Sequence, residues 1–154
     1  MKTLRERIVT TLPLDDAFAY IADFANAQEW DPGVAIARRV DDGPIGPGAR
    51  YQLNVRMGRR VAPMEYCITT FDPPNRVVLT GRGSNVDAID DIAFEATPDG
   101  TAIDYTADIR LGGLLRVAEP FLGGAFERIG RDAANGVRRT LAQRAAADLP
   151  AVER

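Results

Sequence analysis

The chain of 154 residues contains no histidine and only one cysteine, one serine and one lysine. Without histidine, neither a Ser-His-Asp nor a Cys-His nucleophile system can be built, and zinc sites made from histidine and cysteine are excluded. The single cysteine, Cys67, rules out an internal disulfide, and its apolar surroundings indicate a buried thiol. A Schiff-base lysine would have to be Lys2, beside the terminus. We therefore expect no metal site and no cofactor, and any catalysis would rest on Asp, Glu, Tyr, Arg or bound water.

Long apolar runs and a concentrated basic face are also missing. No stretch approaches the length of a membrane span, and the first residues, MKTLRERIVTTLP, lack the apolar core of a signal peptide. We therefore expect a cytoplasmic protein without stable membrane insertion. The net charge of −3 argues against a general nucleic-acid binder. The excess of arginine over lysine, with many alanines and glycines, indicates a GC-rich bacterial genome.

The pattern of apolar residues predicts one domain over residues 1–149 and a disordered tail at 150–154. Strands are expected where apolar and polar residues alternate between turn residues, at 3–12, 34–40, 49–57, 61–71, 76–83, 86–96 and 101–111. Two short helices between residues 14 and 30 should follow the first strand, because the apolar spacing there becomes helical. Short turns between the later strands predict an antiparallel sheet.

An amphipathic helix is predicted over residues 114–147. Its apolar face carries Leu122, Phe126, Ile129, Ala133, Val137 and Leu141. Four glycines weaken it by about 1 kcal/mol each relative to alanine. Burial of the large apolar side chains, at about 1.5 to 3 kcal/mol apiece, outweighs that cost. We therefore expect this helix to pack on the apolar face of the sheet, which must curl around it and leave a concavity between them.

Four segments carry a resemblance to a known family. They are PLDDAFAYIADFANAQEWDPGV, PGARY, FDPPNRVV and PDGT, in that order. Together they resemble the polyketide cyclase/dehydrase branch of the START-like superfamily, also called SRPBCC. The resemblance implies an α+β helix-grip fold, in which a curved seven-stranded antiparallel sheet wraps a long C-terminal helix around a hydrophobic cavity. Proteins of this kind include aromatase/cyclases, lipid and sterol carriers, hormone receptors and co-chaperones, so the fold alone does not select a function.

Candidate ligand-binding residues are those expected on the concave face of the sheet and on the facing helix. They are Tyr51, Leu53, Val55, Tyr66, Ile68, Ile92, Phe94, Tyr105 and Ala107 on the strands, and Phe126, Ile129, Gly130 and Ala133 on the helix. The small residues Gly130 and Ala133 either keep the helix from filling the cavity or allow close packing against a large neighbour. Both interpretations stay open at this point.

Two further groups are expected near the cavity entrance. Trp30, at the end of the second short helix, is interpreted as a gate, with a hydrophobic plug for its helix as the alternative. Arg38 and Arg39 either meet an acidic ligand there or are solvated, as surface arginines usually are.

Asp90 is the most informative polar residue, because it interrupts the apolar face of its strand. A carboxylate facing a cavity would have a raised pKa and could bind a ligand hydroxyl or transfer a proton. The interpretation we favour is a β-bulge near Asp90 and Asp91 that turns the carboxylate to water. Glu6 raises the same question in the first strand. Asp90 and Tyr66 are the candidates for a catalytic role.

Three functions are compatible with the sequence. The first is binding of a small hydrophobic molecule, lipid-like or polycyclic, in the cavity. The second is an aromatase/cyclase-like enzyme in which Asp or Tyr assists enolisation and loss of water, although no acid and base pair stands out. The third is a protein-interaction module, and a homodimer is also compatible with the sequence.

Overall fold

The computed structural model describes residues 1–148 and contains seven β-strands. They are β1 (Lys2–Thr10), β2 (Val34–Arg39), β3 (Arg50–Met57), β4 (Arg60–Asp72), β5 (Arg76–Arg82), β6 (Val86–Thr97) and β7 (Gly100–Leu111). All neighbours are antiparallel, in the order β1-β7-β6-β5-β4-β3-β2. Only β1 pairs away from its sequence neighbour, with Lys2 opposite Ile109 and Thr10 opposite Thr101. The tail predicted at 150–154 lies outside the described residues.

The two short helices predicted after the first strand are present. α1 (Leu14–Ala22) buries Phe18 and Ile21, and Asp15 and Asp16 occupy its first turn, where the helix dipole favours negative charge. A 3₁₀ turn (Phe24–Asn26) leads directly into α2 (Ala27–Trp30). The expected helix-grip arrangement is completed by a long C-terminal helix, so the predicted fold is confirmed.

The C-terminal helix begins later than the predicted residue 114. A short helix, α3 (Leu115–Ala118), and a 3₁₀ turn (Glu119–Phe121) precede the long helix α4 (Gly123–Ala147). Pro120 lies in that turn, and proline can continue neither the hydrogen bonding nor the packing of a preceding helical turn. The prediction of one continuous helix from residue 114 is therefore wrong, because the chain is interrupted at Pro120 and the long helix begins only at Gly123.

The buried face of α4 is also rotated slightly from the prediction. Phe126, Val137 and Leu141 are buried as expected, and Ala134 joins them. Ile129 is 46% exposed. The helix therefore buries Phe126 near its start and Ala134, Val137 and Leu141 farther along, and leaves Ile129 half-exposed.

α4 crosses the backbone of α2 at very close range. A Cβ atom added at Gly136 would fall on the carbonyl oxygen of Trp30. Around this crossing, Thr140 Oγ1 donates a hydrogen bond to the carbonyl of Glu29 at 3.4 Å, and Arg138 Nη2 donates to the carbonyl of Arg7 at 2.8 Å. Gly136 therefore sets the height at which the helix lies above the sheet.

Substituting Gly136 by Ala should lower the free energy of unfolding. The added methyl group collides with backbone, which should cost about 2 kcal/mol or more and outweigh a helix-propensity gain of about 1 kcal/mol. Gly124→Ala is the matched control in the same helix, because no atom of residues 1–148 lies within 4 Å of a Cβ added there. Urea unfolding of both variants measures the difference, and equal stability of the two would show that the crossing is not tight.

Candidate functional site

A cavity of about 140 Å³ lies between the sheet and α4. Five strands (β1, β3, β4, β6 and β7) form its floor and walls, and the segment from Phe24 to Val34 closes one side. The face toward α4 is lined by Ile129, Gly130, Ala133, Ala134 and Val137. These are mostly small side chains, so the helix covers the space without filling it. A Cβ at Gly130 would make only ordinary contact with Leu4, at 3.5 Å.

Most of the predicted ligand-binding residues line this cavity. They are Trp30, Leu53, Val55, Tyr66, Asp90, Tyr105, Ala107, Ile129, Gly130 and Ala133. The other predicted residues, Tyr51, Ile68, Ile92, Phe94 and Phe126, are buried but do not line it. The reason is visible at Phe94, whose ring packs on Phe18 of α1 with centroids 5.1 Å apart. The part of the concave face that carries Phe94 is covered by α1. The alternation of residues along a strand does not reveal which part of a sheet face a helix will cover.

Other lining residues were missed by the sequence reasoning. They are Leu4, Ile8, Phe24, Ala27, Asp31, Val34, Ala88, Ile109, Ala134 and Val137. Leu4 and Ile8 alternate with Glu6, which also lines the cavity, so the strand pattern carried a signal for them. Asp31 carried none, because the Asp-Pro-Gly sequence at 31–33 reads only as a helix stop.

Asp90 faces the cavity and is 6% exposed. The β-ladders on both sides of β6 continue through Asp90 without a register shift, and Asp90 lies opposite Leu79 on β5 and Ala107 on β7. The favoured β-bulge interpretation is therefore wrong, and the carboxyl group is turned inward. The hydroxyl of Tyr105 donates a hydrogen bond to Asp90 Oδ1 at 2.8 Å. Asp90 Oδ2 is buried and has no hydrogen-bond partner among residues 1–148.

Burial changes the protonation chemistry of this cluster. Loss of solvation raises the pKa of Asp90 to about 7, against the lowering effect of the Tyr105 hydrogen bond, and the nearby carboxyls of Asp31 and Asp108 raise it further. Burial and the proximity of Asp90 place the pKa values of Tyr66 and Tyr105 well above the ordinary value. Near neutral pH both tyrosines are thus neutral, while Asp90 can accept or release a proton.

Asp31 brings a second carboxyl group to the cavity. It follows α2 directly, and its Oδ1 accepts a hydrogen bond from the backbone N–H of Gly33 at 2.8 Å. Burial raises the pKa of Asp31, while the Gly33 hydrogen bond lowers it. The sequence showed no pair of acidic groups, and the fold supplies one.

Trp30 lies in the inner wall rather than at the entrance. It is 2% exposed, and its ring stands edge-on to Phe24 and Tyr105, with centroids 6.1 Å and 6.0 Å away. The predicted gate is therefore wrong, because a residue packed between two rings beneath α4 has no solvent-facing position. Its indole N–H is buried without a partner among the described residues.

Tyr66 is positioned by a glycine on the neighbouring strand. Gly81 on β5 lies directly opposite Tyr66 on β4, and a Cβ there would come within 2.5 to 2.9 Å of the tyrosine ring. The ring therefore lies across the glycine, a close approach that any larger residue would prevent.

The two arginines expected at the entrance are elsewhere. Arg38 donates a hydrogen bond to Gln52 Oε1 at 2.6 Å, and Arg39 pairs with Asp41 at 2.8 Å. Neither lines the cavity, so the interpretation that they meet an acidic ligand there is wrong. Within residues 1–148, no group of three or more His, Cys, Asp or Glu side chains is arranged to hold a metal ion. No helix in the same range is long and apolar enough to cross a membrane.

The family model described as "Polyketide cyclase / dehydrase and lipid transport" matches residues 1–142. The chain belongs to this family. No curated protein matches it in sequence.

Solved structures similar to this polyketide cyclase/dehydrase family member share its fold at low sequence identity. A Thermus thermophilus protein has a TM-score of 0.76 at 13% identity, covering 96% of this chain and 100% of its own. The Zhui aromatase/cyclase from Streptomyces has a TM-score of 0.74 at 14% identity, with coverage of 96% and 98%. A START superfamily protein from Mycobacterium smegmatis has a TM-score of 0.74 at 12% identity, with coverage of 92% and 97%. Likeness at this identity establishes the fold and leaves the chemistry to the site.

The buried carboxyl of this family member should make its stability depend on pH. Because the pKa of Asp90 is raised from 3.8 to about 7 on folding, the folded state retains a proton that the unfolded state has lost. The free energy of unfolding should therefore fall as pH rises from about 4 to about 7. Asp90→Asn removes this penalty and should be stabilising at about pH 8, by on the order of a few kcal/mol, but not at about pH 4.

Urea unfolding across this pH range, with Asp87→Asn as control, measures the effect. Asp87 is exposed on the opposite face of the same strand. A difference between Asp90→Asn and the unsubstituted protein that does not change with pH would contradict the raised pKa.

Proposed function

We propose that the protein binds a small hydrophobic molecule in the cavity between the sheet and α4. The observation that carries the proposal is the cavity itself, a space of about 140 Å³ lined mainly by apolar and aromatic side chains with a few polar groups turned inward. Ligand sites in proteins commonly have this composition. Membership of a family described by cyclase, dehydrase and lipid transport supports a ligand of this chemical character.

The volume limits what the cavity holds in this conformation. An apolar cavity of roughly 150 Å³ is enough for benzene. A lipid-like or polycyclic molecule would therefore require α4 to move away from the sheet. Ile129, which lines the cavity and is 46% exposed, marks the edge where such widening would begin. A ligand body the size of one ring needs no such movement.

Filling the cavity from α4 should abolish binding of a ring-sized probe. Ala133→Leu adds three carbon atoms to a lining position, whereas Ala142→Leu adds the same atoms at an exposed position of the same helix. Trp30, the only tryptophan in the chain, lies in the cavity wall, so its fluorescence reports on occupancy. Titration with toluene should saturate in the unsubstituted protein and in Ala142→Leu, and affinity should fall about tenfold or more in Ala133→Leu. Equal affinity in all three proteins would overturn the proposal.

A second candidate function is aromatase/cyclase-like chemistry on the bound molecule. The observation that favours it is the pair of raised carboxyl pKa values at Asp90 and Asp31 in one cavity. A carboxylate with pKa near 7 is suited to remove a proton next to a ketone at neutral pH, and a protonated one can return a proton to a departing hydroxyl. Tyr105, already bonded to Asp90, would hold that carboxyl in position.

The two candidates separate in the variant Asp90→Asn. If the protein is a cyclase, this change should lower turnover of a synthetic poly-β-ketone thioester by about a hundredfold or more, because the proton acceptor is lost. Toluene affinity, measured by Trp30 fluorescence, should stay within about threefold, since the shape of the cavity is kept. Aromatic product formation followed by absorbance provides the readout. Unchanged turnover in Asp90→Asn would remove Asp90 from any such reaction.

A further inference from the structure

The polar groups of the cavity are unbalanced in charge. Three carboxyl residues line it, Glu6, Asp31 and Asp90, and none of its lining side chains within residues 1–148 is basic. Buried or half-buried carboxyls normally approach a cation or several hydrogen-bond donors, because an uncompensated charge is costly away from water. A cavity made only to enclose hydrocarbon has no need of three such groups.

One oxygen in this group lacks any partner. Asp90 is 6% exposed, Tyr105 satisfies its Oδ1, and its Oδ2 is buried with no hydrogen-bond partner among the described residues. Nearly all buried polar atoms in folded proteins have a partner, so an isolated carboxyl oxygen at a cavity wall is an acceptor site for a donor on a ligand.

Aromatic rings surround the same space. Phe24, Trp30, Tyr66 and Tyr105 all line the cavity. The rings form a continuous series, with centroid separations of 5.5 Å between Phe24 and Tyr66, 6.1 Å between Phe24 and Trp30, and 6.0 Å between Trp30 and Tyr105. Ring faces attract cations, and several rings around a small cavity favour an ammonium group over a neutral one of the same size.

We propose that the ligand of this cavity is a small organic amine, in which a protonated amino group pairs with Asp90 among the aromatic rings and a ring-sized apolar body packs beneath α4. This inference rests on the proposed function, because it names the chemical class of the molecule that occupies the same site. An ammonium group supplies both the donor that Asp90 Oδ2 lacks and a positive charge beside Asp90, in a lining whose carboxyls have no basic neighbour among the lining side chains of residues 1–148. A neutral alcohol would supply only the donor.

The titrating group in this pairing is Asp90. The titratable groups that line the cavity with it are Tyr105 on β7, Tyr66 on β4, Asp31 after α2 and Glu6 on β1. Asp108 on β7 does not line the cavity but raises the pKa of Asp90 through its charge. The cavity-lining residues of α4 are apolar, and so are Leu53 and Val55 on β3. The tyrosines stay neutral because their pKa values are raised, so the charge that an ammonium meets near pH 7 changes mainly through Asp90.

A matched pair of probes tests the proposal. Benzylamine and benzyl alcohol share one ring and one methylene and differ in carrying an ammonium or a hydroxyl group. Trp30 fluorescence titrations of the unsubstituted protein should show tighter binding of benzylamine at about pH 8, by about tenfold. In Asp90→Asn the amine should lose about tenfold or more in affinity while the alcohol changes by less than about threefold. Asp87→Asn, on the opposite face of β6, should behave as the unsubstituted protein.

The pH dependence gives a readout that requires no variant. Benzylamine stays protonated through neutral pH, whereas Asp90 ionises at about 7. Affinity for the amine should therefore rise about tenfold between about pH 6 and pH 8, while affinity for the alcohol should not rise. This result would stand even if Asp90→Asn failed to fold, as judged by circular dichroism.

The outcomes separate this inference from the function on which it rests. Equal binding of the two probes, or amine binding that is independent of pH and kept in Asp90→Asn, would overturn the amine and leave a binding protein for neutral molecules. Failure of both probes and of toluene to bind would overturn the amine and the proposed function together.

Discussion

The close crossing of α4 over the backbone of Trp30 is the constraint on which the rest of the structure depends. Only a glycine at position 136 lets the helix lie directly on that carbonyl. Arg138 and Thr140 then tie the same part of the helix to β1 and α2. The crossing fixes the position of the helix, and the cavity is the space that remains where Gly130 and Ala133 line it.

The polar content of that space is the second important feature of the structure. Most of the lining is apolar, as the packing of a helix on a sheet requires, yet three carboxyl groups are placed in it. Asp90 is the most costly of them, because burial raises its pKa to about 7 and one of its oxygens has no partner among the described residues. Residues that break the local rules of folding are usually found at functional sites. Burying Asp90 with one oxygen unpaired lowers the stability of the folded protein, and a ligand that donates a hydrogen bond to that oxygen would recover this free energy.

Membership of the polyketide cyclase/dehydrase and lipid-transport family agrees with a structure in which the backbone scaffold is shared and the side chains of the cavity differ. The similar solved structures have TM-scores of 0.74 to 0.76 at 12 to 14% identity, so the curved sheet and the long helix persist while nearly every side chain differs. In this chain the absence of histidine restricts proton transfer in the cavity to carboxyl and phenol groups. The aromatic residues Phe24, Trp30, Tyr66 and Tyr105 line this cavity as well.

Sequence alone determined the elements and their order. Alternation in segments such as 50–57 is a local property, so the ends of the strands could be predicted to within two residues, along with the sheet face that carries Leu53, Val55, Tyr66 and Tyr105. Pro120 was a local signal for the interrupted C-terminal helix that the prediction overlooked.

Only the tertiary structure decided which way Asp90 points, that Asp31 joins it and that Trp30 lies in the inner wall. An in-register strand turns Asp90 inward and a bulge turns it outward, and the choice depends on pairing with Leu79 and Ala107. Asp31 and Trp30 reach the cavity because α4, more than a hundred residues later, packs across them. Periodicity reports the face on which a side chain lies, whereas burial depends on what distant parts of the chain place over that face.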